Sequence, residues 1–330
     1  MAYSKMVEKA QKPLKAKVSL LEGEDILTAS QFNREQLSVI MNSAAYYEKA
    51  LAKKKILRDM DGKIMAALFF EPSTRTRLSF ETAMHRLGGS VVTVAESAKA
   101  QTSSTAKGES LHDSITAVDK YVDIIVVRSP IKGAAEIAAN AAEHPVINAG
   151  DGAGQHPTQA LLDIYTILKE KGTLNGLTIA VVGDLKYGRA PHSLVELLSL
   201  YDCNFIFISP KELVMPKDIT EKLLSKGLKV EETDNLLKAA EKADVLYITR
   251  VQKERFSTAE EYERVKDSYV VDDSIVEKGK GGMLILHPLP RVNEIAVSVD
   301  KCPGAAYFRQ AGNGVFIRMA LLTLITGNLL

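Results

Sequence analysis

Cysteine is scarce in this 330-residue sequence: there are two, Cys203 and Cys302. Neither has a second cysteine or a histidine at metal-ligand spacing, which argues against a thiolate-bound metal. Cys203 lies in the apolar run CNFIFI and is expected to be a buried thiol; Cys302 precedes Pro-Gly and is expected in a loop. Such sparing use fits a reducing compartment, the cytoplasm. Long apolar runs are missing too. Nothing approaches the ~18 residues that span a bilayer, so no membrane is implied. Net charge is almost nil, at +1 from 42 Lys and Arg against 41 Asp and Glu. There is then no global field to gather nucleic acid, and any anion site must come from local clustering. Repeats of roughly 20–50 residues and low-complexity segments are absent. So are Gly-x-x-x-x-Gly-Lys and Gly-x-Gly-x-x-Gly, which removes a P-loop and a dinucleotide fingerprint. The N-terminus carries Lys5, Lys9, Lys12, Lys15 and Lys17 without arginine or a long apolar core. That is a poor secretory signal and a weak transit peptide, and reads as a solvated extension.

What remains is a chain of 46% hydrophobic and 25% charged residues, long enough for two globular domains. From Ile64 onward short β-rich runs alternate with helical apolar spacing. IMAALFF, VVTVA, DIIVV and PVIN read as strands, with helices over Leu78–Leu87, Leu111–Tyr121 and Ala134–Ala142 between them. The pattern recurs as LTIAVVG, CNFIFIS, LKVEE, ADVLYIT and MLILHPLP, with helices at PHSLVELLSLY and DNLLKAAEKA. Alternation of this kind predicts α/β architecture with parallel sheets. Two doubly wound domains are expected, joined by a long helix from Pro157 to Gly172 that opens on proline and closes on Lys-Gly. A last apolar helix is expected over Gly314–Gly327.

The stretch LFFEPSTRTRLSFE places Ser73, Thr74, Arg75, Thr76 and Arg77 where a strand gives way to a helix. The first amides of a helix lack intrahelical partners and carry the positive end of its dipole. Three hydroxyls and a planar guanidinium added there suit a phosphate or carboxylate. A simple N-cap needs one such residue and leaves the arginines unexplained. Ligands of open α/β sheets bind at the carboxyl ends of strands. Five further strand ends also deliver polar groups: Arg128; His156, Thr158 and Gln159; Arg189; Arg250 and Gln252; and His287 with Pro288, Leu289 and Pro290.

STRTRLSFE, HPTQALLDIYTI, GDLKYGRAPHSL, TRVQKERF and HPLPRVNEI together resemble the aspartate carbamoyltransferase family, from about residue 26 to the end. STRTR and HPTQ are shared with ornithine carbamoyltransferases, whereas TRVQKERF and HPLPR are more specific to the aspartate enzymes. Charge points the same way. Ornithine would call for an acid in the second domain, but the strand ends there carry Arg189 and Arg250, a pair suited to two carboxylates. Asp184, the nearest acid, reads as the orienter of its own βα loop.

The resemblance implies that carbamoyl phosphate is held by Ser73, Thr74, Arg75 and Thr76 with Arg128. Thr76, Arg128 and His156 would surround the carbonyl oxygen as an oxyanion site. Gln159 and the carbonyls of Pro288 and Leu289 would take the carbamoyl amide. His156 just before a helix start is expected as a neutral hydrogen-bond donor rather than a base. His287 is expected to shape its loop, and His85, His112, His144 and His192 to be structural. The polar loop of residues 97–110 matches the family loop that reaches into a neighbouring subunit's site, bringing Ser103 and Lys107. Ala106 stands where a second lysine is common. Aspartate would be bound by Lys107, Arg189, Arg250, Gln252 and Leu289. No metal and no cofactor is implied, since holding two substrates in register supplies roughly 7–11 kcal/mol of the barrier. The expected domains are 1–156 with the returning helix 307–330 for carbamoyl phosphate, and 157–306 for aspartate. A homotrimer with shared sites is expected, with a separate regulatory chain left open. Two rivals stand beside this reading: transfer to another amino acid, and a non-catalytic anion-binding scaffold.

Overall fold

In a computed structural model the described residues are 10, 19–95, 108–251, 256, 258–265 and 268–327. They contain strands β1 (Ile64–Phe69), β2 (Ser90–Ala95), β3 (Ile124–Ser129), β4 (Val146–Asp151), β5 (Leu177–Val182), β6 (Cys203–Ile208), β7 (Lys229–Thr233), β8 (Val245–Ile248) and β9 (Leu284–Leu286). The helices are α1 (Arg34–Ala52), α2 (Thr74–Arg86), α3 (Leu111–Asp119), α4 (Ala134–Ala141), α5 (Pro157–Lys171), α6 (Arg189–Leu198), α7 (Lys217–Ser225), α8 (Leu236–Ala240), α9 (Ala259–Val265), α10 (Asp273–Lys278) and α11 (Tyr307–Ile325). No helix among the described residues is long and apolar enough to cross a membrane.

All strands are parallel, in a four-stranded sheet of order β2-β1-β3-β4 and a five-stranded sheet of order β7-β6-β5-β8-β9. The nine apolar runs read from the sequence are these nine strands. Central β3 is buried along its whole length, and its first four residues, IIVV, form the apolar run expected of a parallel strand inside a sheet. Edge strand β7 instead reads KVEET and is mostly exposed, so charge blunts a free edge. Each sheet has its own core. Ala66, Leu68, Ile125 and Val127 pack against Ile115 and Ala138 in the first; Ala180, Val182, Ile206 and Leu246 pack against Leu236 and Ala240 in the second.

The chain forms two compact units. One takes the described residues up to Leu161 and those from Gly312 onward, the other Leu162 to Ala311, so the chain crosses between them within α5 and again within α11. The return of α11 to the first unit is fixed by Tyr47 Oη to Thr323 Oγ1 at 3.0 Å and by the Gly23 amide to the Ile325 carbonyl at 2.8 Å. This helix begins at Tyr307, where the returning helix 307–330 was expected to start and seven residues before the apolar stretch Gly314–Gly327. Burial of its flanks outweighs the ~1 kcal/mol that each internal glycine costs. α1 was not expected, although NREQ is a capping box. Asn33 Oδ1 accepts from the amides of Glu35 and Gln36, and Gln36 Oε1 accepts from the Asn33 amide at 3.1 Å.

Candidate active site

In the first sheet the direction of winding reverses between β1 and β3, because β2 lies on one side of β1 and β3 and β4 on the other. Ligands of open α/β sheets bind outside the carboxyl ends of the strands at such a point. The residues read as a phosphate cradle follow β1 there, and Arg128 is at the end of β3, in register with Phe69. Ser73 occupies the N-cap position of α2, yet its side chain makes no capping bond. Its hydroxyl is therefore not consumed in closing the helix. Thr76 is buried and Ser73 half-buried, while Thr74 and Arg75 face outward. Arg75 is still desolvated enough by its surroundings for its pKa to fall below the ordinary arginine value. Arg77, two residues on, turns aside to pair with Glu81 at 3.8 Å.

Arg128 is buried, and its guanidinium is steered from two directions. Nη1 donates to the Ala149 carbonyl of β4 at 3.0 Å, and Nη2 donates to Glu71 Oε1 at 2.5 Å. Glu71 stands just ahead of the cradle, so this pair couples the end of β3 to the loop that leads into α2.

His156 is buried at the start of α5, where its carbonyl accepts from the amides of Gln159 and Ala160. Thr158 and Gln159 are buried beside it. The loop that delivers His156 is organised by buried Asp151. Its Oδ1 accepts from the Gln155 amide at 2.7 Å and its Oδ2 from the Gly133 amide at 2.9 Å. Gly152 is required by the same loop: its φ is +51°, and a Cβ would come within 2.6 Å of the Pro130 carbonyl oxygen.

In the second sheet the reversal falls between β5 and β8. Gly183 directly follows β5 with φ +115°, so close to the residue after β8 that a Cβ would lie 2.1 Å from the Thr249 carbonyl oxygen. Beyond this contact Arg189 opens α6 and Arg250 follows β8, both half-buried. Asp184 is buried and accepts from the Tyr187 amide at 2.9 Å, the loop-orienting part expected of it. Pro288 and Leu289 follow β9 and are half-buried, with Leu289 at φ 57°. Ser103, Lys107 and Gln252, together with Ala106, lie outside the described residues. Among the described residues no group of three or more His, Cys, Asp or Glu side chains could hold a metal ion.

Two family profiles cover this arrangement. Residues 24–169 match "Aspartate/ornithine carbamoyltransferase, carbamoyl-P binding domain" and residues 175–325 match "Aspartate/ornithine carbamoyltransferase, Asp/Orn binding domain". The chain belongs to the aspartate/ornithine carbamoyltransferase family. It is 52% identical over 306 residues to the aspartate carbamoyltransferase catalytic subunit of Thermococcus onnurineus, covering 93% of this chain and 98% of that protein. Against the multifunctional protein CAD of Squalus acanthias it is 51% identical over 305 residues, 92% of this chain but 13% of that protein. Among solved structures, aspartate transcarbamoylase from Trypanosoma cruzi in complex with carbamoyl aspartate and phosphate is 41% identical, with a TM-score of 0.87 over 96% of this chain and 99% of that one.

Within this carbamoyltransferase, several residues around the site escaped the sequence reading. Glu71 and Asp151 are two, and Arg318 is a third. Arg318 is buried in α11, donates from Nη1 to Ser79 Oγ at 2.7 Å and from Nη2 to Thr158 Oγ1 at 3.4 Å, and stacks over the Phe80 ring at 4.8 Å. It thereby braces α2 against α5, the two helices whose first turns carry the cradle and His156. Its only signal was an arginine set within the apolar run VFIRMALLTLI.

Proposed function

We propose that the chain transfers the carbamoyl group of carbamoyl phosphate to the α-amine of L-aspartate. The products are N-carbamoyl-L-aspartate and phosphate, and the step belongs to de novo pyrimidine biosynthesis. The observation that carries this reading is the junction of the Ser73–Thr76 helix start with buried Arg128 at the first switch point. Such a junction suits a phosphate. The second switch point, with Arg189 and Arg250, suits a dicarboxylate. The T. cruzi relative, whose bound ligands are the two products of this reaction, supports the choice of aspartate.

In this mechanism Ser73, Thr74, Arg75 and Thr76 hold the phosphate with Arg128, assisted by Ser103 and Lys107. Arg189, Arg250, Gln252, Lys107 and Leu289 hold aspartate. The aspartate amine attacks the carbamoyl carbon, and its lone pair forms the new C–N bond. Negative charge develops on the carbonyl oxygen, where Thr76, Arg128 and His156 donate hydrogen bonds. Gln159 and the carbonyls of Pro288 and Leu289 hold the carbamoyl amide. The C–O bond to phosphate then breaks, phosphate leaves with that electron pair, and it accepts the amine proton. Positioning and oxyanion stabilisation carry the step.

The reading extends to organisation. Residues 1–156 with 307–330 bind carbamoyl phosphate and 157–306 bind aspartate. Three copies form a trimer whose sites are shared, in the cytoplasm. A colorimetric assay for the ureido product, run with aspartate and with ornithine as acceptors, tests the core of it. Product from aspartate alone is expected. Product from ornithine instead would move the chain to the other branch of the family, and product from neither would make it a binding scaffold.

A further inference from the structure

We propose that Glu294, acting through His287, fixes the peptide that presents the Pro288 carbonyl to the carbamoyl amide, and is a positioning residue for selecting carbamoyl over other acyl phosphates. This rests on the carbamoyl-transfer reading above. His287 directly follows β9 and is 1% exposed; Glu294 is 6% exposed. The Leu289 amide donates to His287 Nδ1 at 2.7 Å. An amide N–H can only donate, so Nδ1 carries no proton, and the neutral ring must hold its proton on Nε2. Nε2 lies 2.7 Å from Glu294 Oε1 and donates to it. The other carboxylate oxygen, Oε2, accepts from the amides of Val292 at 3.0 Å and Asn293 at 3.1 Å. Burial would raise the pKa of this carboxyl, but the bonds from His287 and the backbone outweigh it and hold the group below the usual glutamate value. Glu294 is thus an ionised acceptor that selects one tautomer of His287.

The consequence follows from peptide planarity. The Leu289 N–H and the Pro288 C=O belong to one trans unit and point in opposite directions. Tying the N–H to the ring fixes the carbonyl to point away from it. Leu289 itself sits at φ 57°, a region that L side chains rarely occupy. His287 is also held from behind. Its amide donates to Gln310 Oε1 at 2.9 Å, Gln310 Nε2 donates to Asp163 Oδ1 at 2.6 Å, and Tyr247 donates to Asp163 Oδ2 at 2.9 Å. A fixed carbonyl acceptor serves a carbamoyl group, which has two N–H donors. It does nothing for an acetyl group, which has none.

The test compares the parent with Glu294→Gln. That substitution keeps the shape but sets an amide NH2 against either the ring N–H or the two backbone amides. Turnover with carbamoyl phosphate is expected to fall at least tenfold in kcat/KM. Competitive inhibition by acetyl phosphate, and binding of inorganic phosphate, should stay within twofold. Nitrogen NMR of histidine-labelled parent at neutral pH should show His287 protonated on Nε2 alone. A parent ring protonated on Nδ1 overturns the proposal, as does a variant within twofold of the parent or one that loses acetyl phosphate and carbamoyl phosphate equally. If Glu294→Gln does not fold, His287 variants decide. His287→Asn keeps an acceptor near the Nδ1 position and should retain at least five times the activity of His287→Gln, which does not; the reverse order rejects the idea. If the parent itself forms no carbamoyl product, the functional reading fails while the tautomer result stands separately.

Discussion

At the switch point between β1 and β3 the key cation is buried and doubly committed, to Glu71 and to the Ala149 carbonyl. At the one between β5 and β8, Arg189 and Arg250 are half-buried, one at a helix start and one in the loop after its strand. The first arrangement is set before any ligand arrives. It suits a compact tetrahedral anion whose oxygens can be matched by helix amides, hydroxyls and a guanidinium held in place. The second presents two half-buried arginines from separate elements, which suits an amino acid with two separated carboxylates. On the proposed assignment, the buried and doubly anchored cation lies where charge develops in the transition state, and the half-buried pair where the acceptor is recognised.

The sharpest way to break this contrast is to remove a cation from the first switch point. Arg75→Ala should lower turnover by about 10²–10³ or more, the scale expected when a donor to developing charge is lost from a preorganised site. Its circular dichroism and thermal midpoint should stay close to the parent, since the side chain faces outward. Turnover comparable to the parent would remove Arg75 from the cradle.

Removing a cation from the second switch point should give a smaller and different effect. Arg250→Ala is expected to raise the KM for aspartate about tenfold or more, as loss of a charged hydrogen bond would. Calorimetric titration should find inorganic phosphate bound as in the parent. If phosphate affinity collapses with aspartate use, the two halves do not divide the substrates as described.

Much of this contrast could be read in the sequence, and its limits are physical. All nine strands and the residues after them follow from local periodicity and from the rule that ligands gather at strand ends. The partners that hold those residues do not. Glu71 meets Arg128 across 57 positions, and Arg318 meets Ser79 across 239. Neither pairing leaves a periodic trace, because one acid or arginine in a chain rich in both looks like a solvated surface group. Asp151 and Glu294 were missed for the same reason. Each is recognisable only once its loop is closed around it, with backbone amides as the partners. Of the two arginines of STRTR only Arg75 was expected to hold the anion, and helical geometry sends Arg77 to Glu81.

A sharing of sites between copies would extend the contrast, since Lys107 would then serve a cradle other than its own. Arg75→Ala and Lys107→Ala chains, each close to inactive alone, should recover activity when unfolded together and reassembled. If trimers form at random, about three quarters are hybrids with one intact site in three, giving up to roughly a quarter of the parent activity. Hybrids verified by native mass spectrometry but lacking activity would show that each copy builds its own site.

The smallest expected effect separates neighbours in the same motif. Arg77 lies two residues beyond Arg75, and its Nε contacts Glu81 at 3.8 Å on the surface of α2. Thr93 of β2 donates to the same carboxylate at 2.8 Å, so Glu81 keeps a partner when Arg77 is removed. A helix pair of this spacing contributes about 0.3–0.5 kcal/mol, and both side chains remain partly open to solvent, which screens them further. Arg77→Ala should therefore leave kcat and both KM values within about twofold and reduce stability by no more than about 0.5 kcal/mol. The helix would lose an exposed contact while the cradle at its first turn stays in place. A loss of turnover approaching that of Arg75→Ala would mean that Arg77 reaches the substrate in the working enzyme. The distinction between one arginine for the ligand and one for the helix would then have to be given up.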